Sequence, residues 1–310
     1  MKKESSISNR IKANIIEAPE NAKKTSYSQF NTYAQCPHRW YLKYAKKLFP
    51  FDSSIDSVFG TSIHETMQYY LELLYNNSIK ASEAFKIYTF FKERLLANYN
   101  LEFEKNDNQD FATPEQLNEY YIDGCEILKY VKKNRVKYFD PKNEELLGVE
   151  IPIMTPIIHG NDTFFFNGFV DIALYDKVNK TLKMPDFKTS GKGWGDYQKK
   201  DELKMAQSLL YKNFFHQQFG IPEDDIEVSF MILKRKLWSE SQYPQSRVQM
   251  FVPAQGKAKV AQAVNMLGRF VQEAFDWEGN ALEKTYKKNP GNACKFCPFN
   301  ASSELCDQRK

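Results

Sequence analysis

The sequence predicts an α/β fold whose central order is one helix, three strands, a helix and a further strand. Helical periodicity dominates up to about residue 139. Three β-type segments then follow closely between about 146 and 188. A helical segment at about 199–219 next precedes another apolar strand at about 226–237. At 310 residues with 42% hydrophobic composition the chain is long enough for one large, well-buried domain.

Residues 1–24 are polar, mixed in charge and without sustained periodicity, so they are expected to be a mobile arm. Residues 25–310 are read as one domain: a helical region over 25–140, a core over 141–255, and a C-terminal helix with a cysteine-bearing tail over 256–310. Helices are expected at about 26–47, 57–77, 80–100 and 114–139, with the polar stretch Asn106–Asp110 ahead of the last. Strands follow at about 146–158, 163–175 and 181–188, with Asn161-Asp162 as the first turn and Asp176-Lys177 opening the second. The helix at about 199–219 stops before Gly220 and Pro222. Strands at about 226–237 and 247–253 and a helix at about 254–276 complete the pattern.

The most informative residues are Gly168-Phe169-Val170-Asp171 and, fifteen positions after that acid, Asp186-Phe187-Lys188 at the end of an apolar run. Residues two apart on a strand share a face, so Asp186 and Lys188 point together. Pairing the two strands through their polar turn brings Asp171 near Asp186. Two carboxylates can then hold divalent cations, with Lys188 as a compact positive charge beside a phosphate. Upstream stand Gly60 and His64 in a helical pattern. Downstream, Gln207 and Tyr211 share a helix face at i, i+4, either lining a channel or forming a satisfied core pair. Glu150 precedes the apolar Ile151-Pro152-Ile153, as an exposed carboxylate or as a neighbour of the acids.

This order along one chain, GxxxH, E, GxxD, DxK and QxxxY, resembles the RecB-type branch of the PD-(D/E)XK nucleases, which includes the RecB and AddB exonuclease domains and related CRISPR-associated nucleases. The resemblance spans roughly Tyr27 to Cys306. It implies a restriction-endonuclease-like αβββαβ core with a helical N-terminal insertion. It further implies that His64, Asp171, Asp186 and the backbone carbonyl of Phe187 ligate Mg²⁺ or Mn²⁺, that Lys188 is the catalytic lysine, and that Gln207 and Tyr211 line the site. The implied activity is a metal-dependent deoxyribonuclease. The family habit of threading one strand favours an exonuclease on DNA ends or single strands, in recombination, repair, CRISPR adaptation or phage DNA metabolism. A silent DNA-binding scaffold of the same fold and a zinc-stapled endonuclease are the alternatives.

Five cysteines form a second signature: Cys36, Cys125, Cys294, Cys297 and Cys306. Three crowd a Pro/Gly/Asn-rich tail with no further Cys or His, so a four-thiolate site needs a distant partner, and Cys36 in Gln35-Cys36-Pro37 is the best candidate. Such a tail is expected to bury little by itself. Four thiolates suit iron–sulfur or zinc. The resemblance, in its subset with one N-terminal and three C-terminal cysteines, implies a 4Fe-4S cluster. Cys125 reads as a buried small hydrophobe.

No apolar run approaches the roughly 20 residues that cross a bilayer, and Met1–Ser6 lacks the apolar core of a signal peptide, so a cytoplasmic protein without a membrane partner is expected. The net charge of +4 permits nucleic-acid binding only if it is clustered. Candidate clusters are Lys43, Lys46 and Lys47; Lys129 to Lys137; and Lys234, Arg235 and Lys236. Trp194 and Tyr197 sit in a Gly-rich segment, to stack on unpaired bases or to pack as a lid. No Walker A segment is present, so any helicase would be a separate partner.

Overall fold

The structure is a computed structural model and describes residues 6–158, 161–302 and 304–306. Its helices are α1 (Ser6–Ala13), α2 (Tyr27–Gln35), α3 (Pro37–Trp40), α4 (Ile55–Glu72), α5 (Ile79–Ala84), α6 (Ile87–Lys105), α7 (Pro114–Lys133), α8 (Asp196–Lys199), α9 (Glu202–Phe219) and α10 (Lys257–Ala274). The strands are β1 (Lys23–Ser26), β2 (Glu144–Ile158), β3 (Asn161–Asp176), β4 (Thr181–Ser190), β5 (Ile226–Lys234) and β6 (Val248–Phe251). From α4 onward the order of long elements reproduces the expected helix, three strands, helix, strand.

All six strands join one mixed sheet. β3 pairs antiparallel with β2 along its length, parallel with β1 over Phe164–Asn167, and antiparallel with β4 only over Leu174–Asp176. β4 then runs parallel to β5 from Leu182 to Ser190, and β6 closes the sheet antiparallel to β5. A parallel neighbour requires a crossover, and α9 lies in it. Apolar clusters cover both sheet faces. One joins α9, α10 and the α2–α3 region to Phe164, Met184 and Phe230. The other joins α4, α6 and α7 to Ile172, Phe187 and Met231. The domain is therefore a helix–sheet–helix sandwich.

Local chemistry sets the ends of the long helices. Ser54 and Ser57 form a reciprocal capping box at α4, and Thr113 and Gln116 do the same at α7 behind Pro114 at the first helical position. Asp201 caps α9 through Leu203 and Lys204, and Gly220 ends it at φ 64°, a left-handed conformation glycine adopts without steric cost.

Several expectations need correction. The supposed arm is helical over Ser6–Ala13, with Ile11 buried in the first core, and Lys23–Ser26 is an added strand; residues 1–5 lie outside the described residues. Asn161 and Asp162 belong to β3, and Asn161 already pairs with Ile158, so the turn is not theirs. The first long helix breaks at Cys36, which is extended at φ −160°, as the residue before a proline prefers. The tail buries more than expected, since Tyr286 and Phe299 are both in the interior. Cys125 is only half-buried, beside the second core.

One close approach inside the helical layer is testable. Gly124 of α7 faces the ring of the fully buried Phe91 of α6, where an added Cβ would collide with Cε1 and Cζ. Gly124→Ala should destabilise the domain by about 1–3 kcal/mol, the usual cost of overpacking. Phe91→Leu removes both colliding atoms and should recover part of that loss in the double variant. Chemical unfolding of the four chains measures the coupling.

Candidate active site

The site lies where β3 and β4 part. After pairing over Leu174–Asp176 the two strands diverge, and Asp171 on β3 faces the Pro185–Lys188 stretch of β4 across the opening. One side-chain bond spans it: Asp171 Oδ2 accepts from the Phe187 N–H at 2.9 Å. N–H groups two apart on a strand point the same way, so a donor at residue 185 would also face the opening. Pro185 has none to leave unpaired.

Asp186 and Lys188 project together, as the alternation required, and Lys188 Nζ lies 2.7 Å from Asp186 Oδ2. The approach is ionic rather than a well-directed hydrogen bond, and this buried carboxylate oxygen has no other partner. Lys188 also donates to Gln207 Oε1 at 3.0 Å, and Gln207 hydrogen-bonds Tyr211 in turn. Tyr211 reaches this position because residue 168 is glycine: a Cβ there would stand 2.9 Å from its ring. Gln207 and Tyr211 therefore belong to the wall of the site.

His64 enters from α4, with Nδ1 3.4 Å from Asp171 Oδ2 and its ring packed edge-on against Phe187. Burial pushes its imidazole down to about 4 against the pull of Asp186, with Lys188 adding to the fall. A backbone hydrogen bond at Phe187 opposes the fall. A bond that favours the charged ring has the ring donating, so its partner is the Phe187 carbonyl. His64 is therefore neutral at physiological pH and a competent ligand. Burial and then the charge of Asp186 push the Asp171 carboxyl well above its ordinary range, with Lys188 and the Phe187 N–H opposing. Burial would lower the Lys188 ammonium, but Asp186 and Asp171 outweigh it and hold it above its usual value. Burial above all raises the Tyr211 hydroxyl to about 12.

Two further residues border these acids. Glu150 lies between the Val149–Ile172 and Ile151–Val170 pairs of β2 and β3 with its backbone at φ 47°, and its carboxylate accepts from Gln68 Nε2. Gln68 also reaches the Asp171 carbonyl at 3.4 Å. The sequence reading did not single out Gln68, although it is i+4 from His64 on α4 and so shares its face.

Among the described residues, no group of three or more His, Cys, Asp or Glu side chains is already arranged to hold a metal ion. The donors at the fork nevertheless fit a hard divalent cation in kind. A neutral imidazole, two buried carboxylates and a backbone carbonyl converge there, and the mutual repulsion of the acids is what a cation would relieve.

Other expected features divide. Cys36, Cys294, Cys297 and Cys306 line a single pocket with His38 and Arg39. The α2–α3 segment is tied to the tail through His38 N–H to Lys287 O, His38 Nε2 to Leu305 O and Asn289 Nδ2 to Gln35 O. Trp194 is a packing residue: it lies against Phe230, and Gln249 binds both its N–H and its carbonyl. The basic clusters are partly ion-paired within the chain, Lys43 with Asp52, Lys132 and Arg135 sharing Glu83, and Arg235 and Lys236 sharing Asp123.

A family model described as the PD-(D/E)XK nuclease superfamily matches residues 24–302. The chain belongs to this superfamily. No curated protein matches it. The match takes in the fork, His64, Gln207, Tyr211 and the tail through Cys297, and membership brings metal-dependent nuclease chemistry on DNA. No helix among the described residues is long and apolar enough to cross a membrane.

The electrostatics of this nuclease fork give a signed expectation. The folded metal-free protein holds the Asp171 proton more tightly than the unfolded chain does, so that carboxyl contributes instability that grows as pH rises from 3.8 through the raised value. Asp171→Asn can still accept from Phe187 N–H but carries no charge. Its stability gain over the parent chain should therefore increase with pH from near zero in acid. His64 acts in the opposite sense, costing stability as pH falls from 6.5 towards about 4, and it remains in both chains. Denaturant midpoints of the two proteins in chelator across pH 4–7 measure the difference.

Proposed function

We propose that the chain is a Mg²⁺- or Mn²⁺-dependent deoxyribonuclease that degrades DNA from ends or as single strands in the cytoplasm, alongside a separate helicase or recombination partner. The observation that carries the nuclease reading is the fork, where Asp171, Asp186, Lys188 and His64 meet across a split pair of strands. The exonuclease reading rests on the motif order shared with RecB and AddB exonuclease domains.

His64, Asp171, Asp186 and the Phe187 carbonyl would hold the cation. When bound, it supplies an activated water and neutralises the scissile phosphate. Lys188 places a compact ammonium beside that phosphate and stabilises the charge developing on its oxygens. Gln207 fixes the ammonium by accepting from it, which cuts the number of lysine rotamers that must be ordered on binding. Tyr211 borders the same wall and keeps its hydroxyl proton.

Cys36, Cys294, Cys297 and Cys306 would hold a 4Fe-4S cluster, a reading supported by their shared pocket at the junction of the N- and C-terminal segments. Thiolates are needed for this, and burial raises the Cys297 thiol, so a positive centre would have to draw the proton off. The cluster would join residues over 250 positions apart and act as a staple.

End-labelled linear and circular single-stranded DNA, incubated with Mg²⁺ or Mn²⁺, test the activity. Loss of the linear form alone identifies an exonuclease, loss of both an endonuclease, and loss of neither rejects the reading. Asp186→Ala should abolish cleavage while DNA binding persists, because it removes a ligand and a negative charge near the phosphates. Lys188→Ala should lose most of kcat while metal still binds, because the lysine acts on charge present only in the transition state.

Iron content should fall equally in Cys36→Ser, Cys294→Ser, Cys297→Ser and Cys306→Ser. It should be unchanged in Cys125→Ser. Full iron in the Cys36 variant would place the fourth ligand elsewhere.

A further inference from the structure

The hairpin that joins β5 to β6 begins beside the end of β4, only a few residues beyond Lys188. Arg235 N–H donates to Ser190 O and Lys236 N–H to Gly191 O, so the hairpin continues the β4–β5 pairing past the end of both strands. On this extension Trp238 holds its indole in solvent, 61% exposed.

The exposed ring sits on an ordered backbone. Trp238 N–H donates to Gln245 Oε1 at 2.8 Å, and Gln245 Nε2 donates back to Trp238 O at 2.6 Å, closing the hairpin across its neck. The Lys192 ammonium stands 3.8 Å from the ring centroid, a close cation–π contact supplied by the β4 extension itself. No ion pair within the chain engages Lys192 among the described residues, in contrast to Arg235 and Lys236 on the same hairpin, which are bound to Asp123. Lys192 is four residues from Lys188, so their backbones are at most about 14 Å apart.

A flat π-surface held in place, with an unneutralised ammonium at its face, suits a ligand that has both an aromatic ring and an adjacent phosphate. Resting on the nuclease reading above, we infer that Trp238 and Lys192 form a platform for unpaired DNA next to the fork, with a base stacked on the indole face opposite Lys192 and a neighbouring phosphate met by its ammonium. Base stacking on an aromatic side chain is tolerant of sequence and needs an unpaired base. The platform would therefore select single strands or frayed ends over closed duplex. It replaces Trp194, which the fold has used for packing.

The test uses the whole chain without added divalent metal, so that substrate stays intact, and measures binding of labelled oligo(dT) and of a blunt two-strand, GC-rich duplex by fluorescence anisotropy. Cleavage of linear single-stranded DNA by the parent chain with Mg²⁺ or Mn²⁺ is established first; without it the nuclease reading fails and the platform falls with it. Given cleavage, Trp238→Ala should weaken oligo(dT) binding about tenfold, the scale of one lost stacking contact. Trp238→Phe should keep most of the affinity. Lys192→Ala should weaken binding and flatten its salt dependence. Duplex binding should change little in Trp238→Ala. Unaltered oligo(dT) affinity in Trp238→Ala, or equal losses for single strand and duplex, would overturn the platform while leaving the nuclease reading in place. The ring is in solvent, so the melting temperature of each variant should match that of the parent chain.

Discussion

The separation of β3 from β4 is the constraint on which the rest of the site depends. Two strands that stayed paired would satisfy their backbone groups and leave no cleft; two that parted freely would leave buried donors without acceptors. Here the loss is confined. Pro185 has no N–H on the open side, and the Phe187 N–H is taken by the Asp171 carboxylate. The vertex of the fork is itself pinned. Asp176 accepts from the N–H groups of Val178 and Asn179 and from the Asn179 amide, and Lys183 bridges it to the buried Glu144. These bonds hold the Asp176 carboxyl far below the usual range, so the turn stays charged and locked at any pH at which the nuclease would work. A rigid vertex fixes the angle of divergence, and that angle sets where Asp171 and Asp186 stand.

Much of this was legible because it is local. The facing of Asp186 and Lys188 follows from strand alternation, the approach of Asp171 to Asp186 from a short polar turn, and the common wall of Gln207 and Tyr211 from helical spacing. What escaped was non-local or carried no apolar signal. β1 is Lys23-Lys24-Thr25-Ser26, a polar segment that becomes a strand only because β3 offers a parallel edge at Phe164–Asn167. α1 is short and weakly apolar, and Ile11 finding the first core, with Ile7 packed against it, identifies it. Trp194 and Trp238 look alike in sequence, each in a polar, turn-rich stretch. Gln249, far along the chain, draws one inward, while Gln245 leaves the other outside.

Apolar packing joins the tail to the N-terminal helices. Tyr286 packs with Trp40, Tyr33 and Tyr41, and Phe270 of α10 joins the same group. This aromatic cluster, together with the hydrogen bonds of His38 and Asn289, brings Cys36 to the pocket of the three tail cysteines. The apolar contacts supply the proximity. A cluster bound there would be reinforcing a junction that burial already favours, not creating one from two free ends.

The acids of the fork and the packing around them pull in opposite directions. Buried carboxylates that repel each other and a buried ammonium are each unfavourable in a protein interior. Lys188 offsets part of this by lying against Asp186 and Gln207, but it leaves a buried oxygen of Asp186 without a directed partner and Asp171 still driven towards protonation. A sequence selected only for stability would replace these groups with apolar residues. Under the proposed function a cation and a phosphate complete the electrostatics of these groups, and the sandwich on both sides of the sheet supplies the stability that the fork gives up.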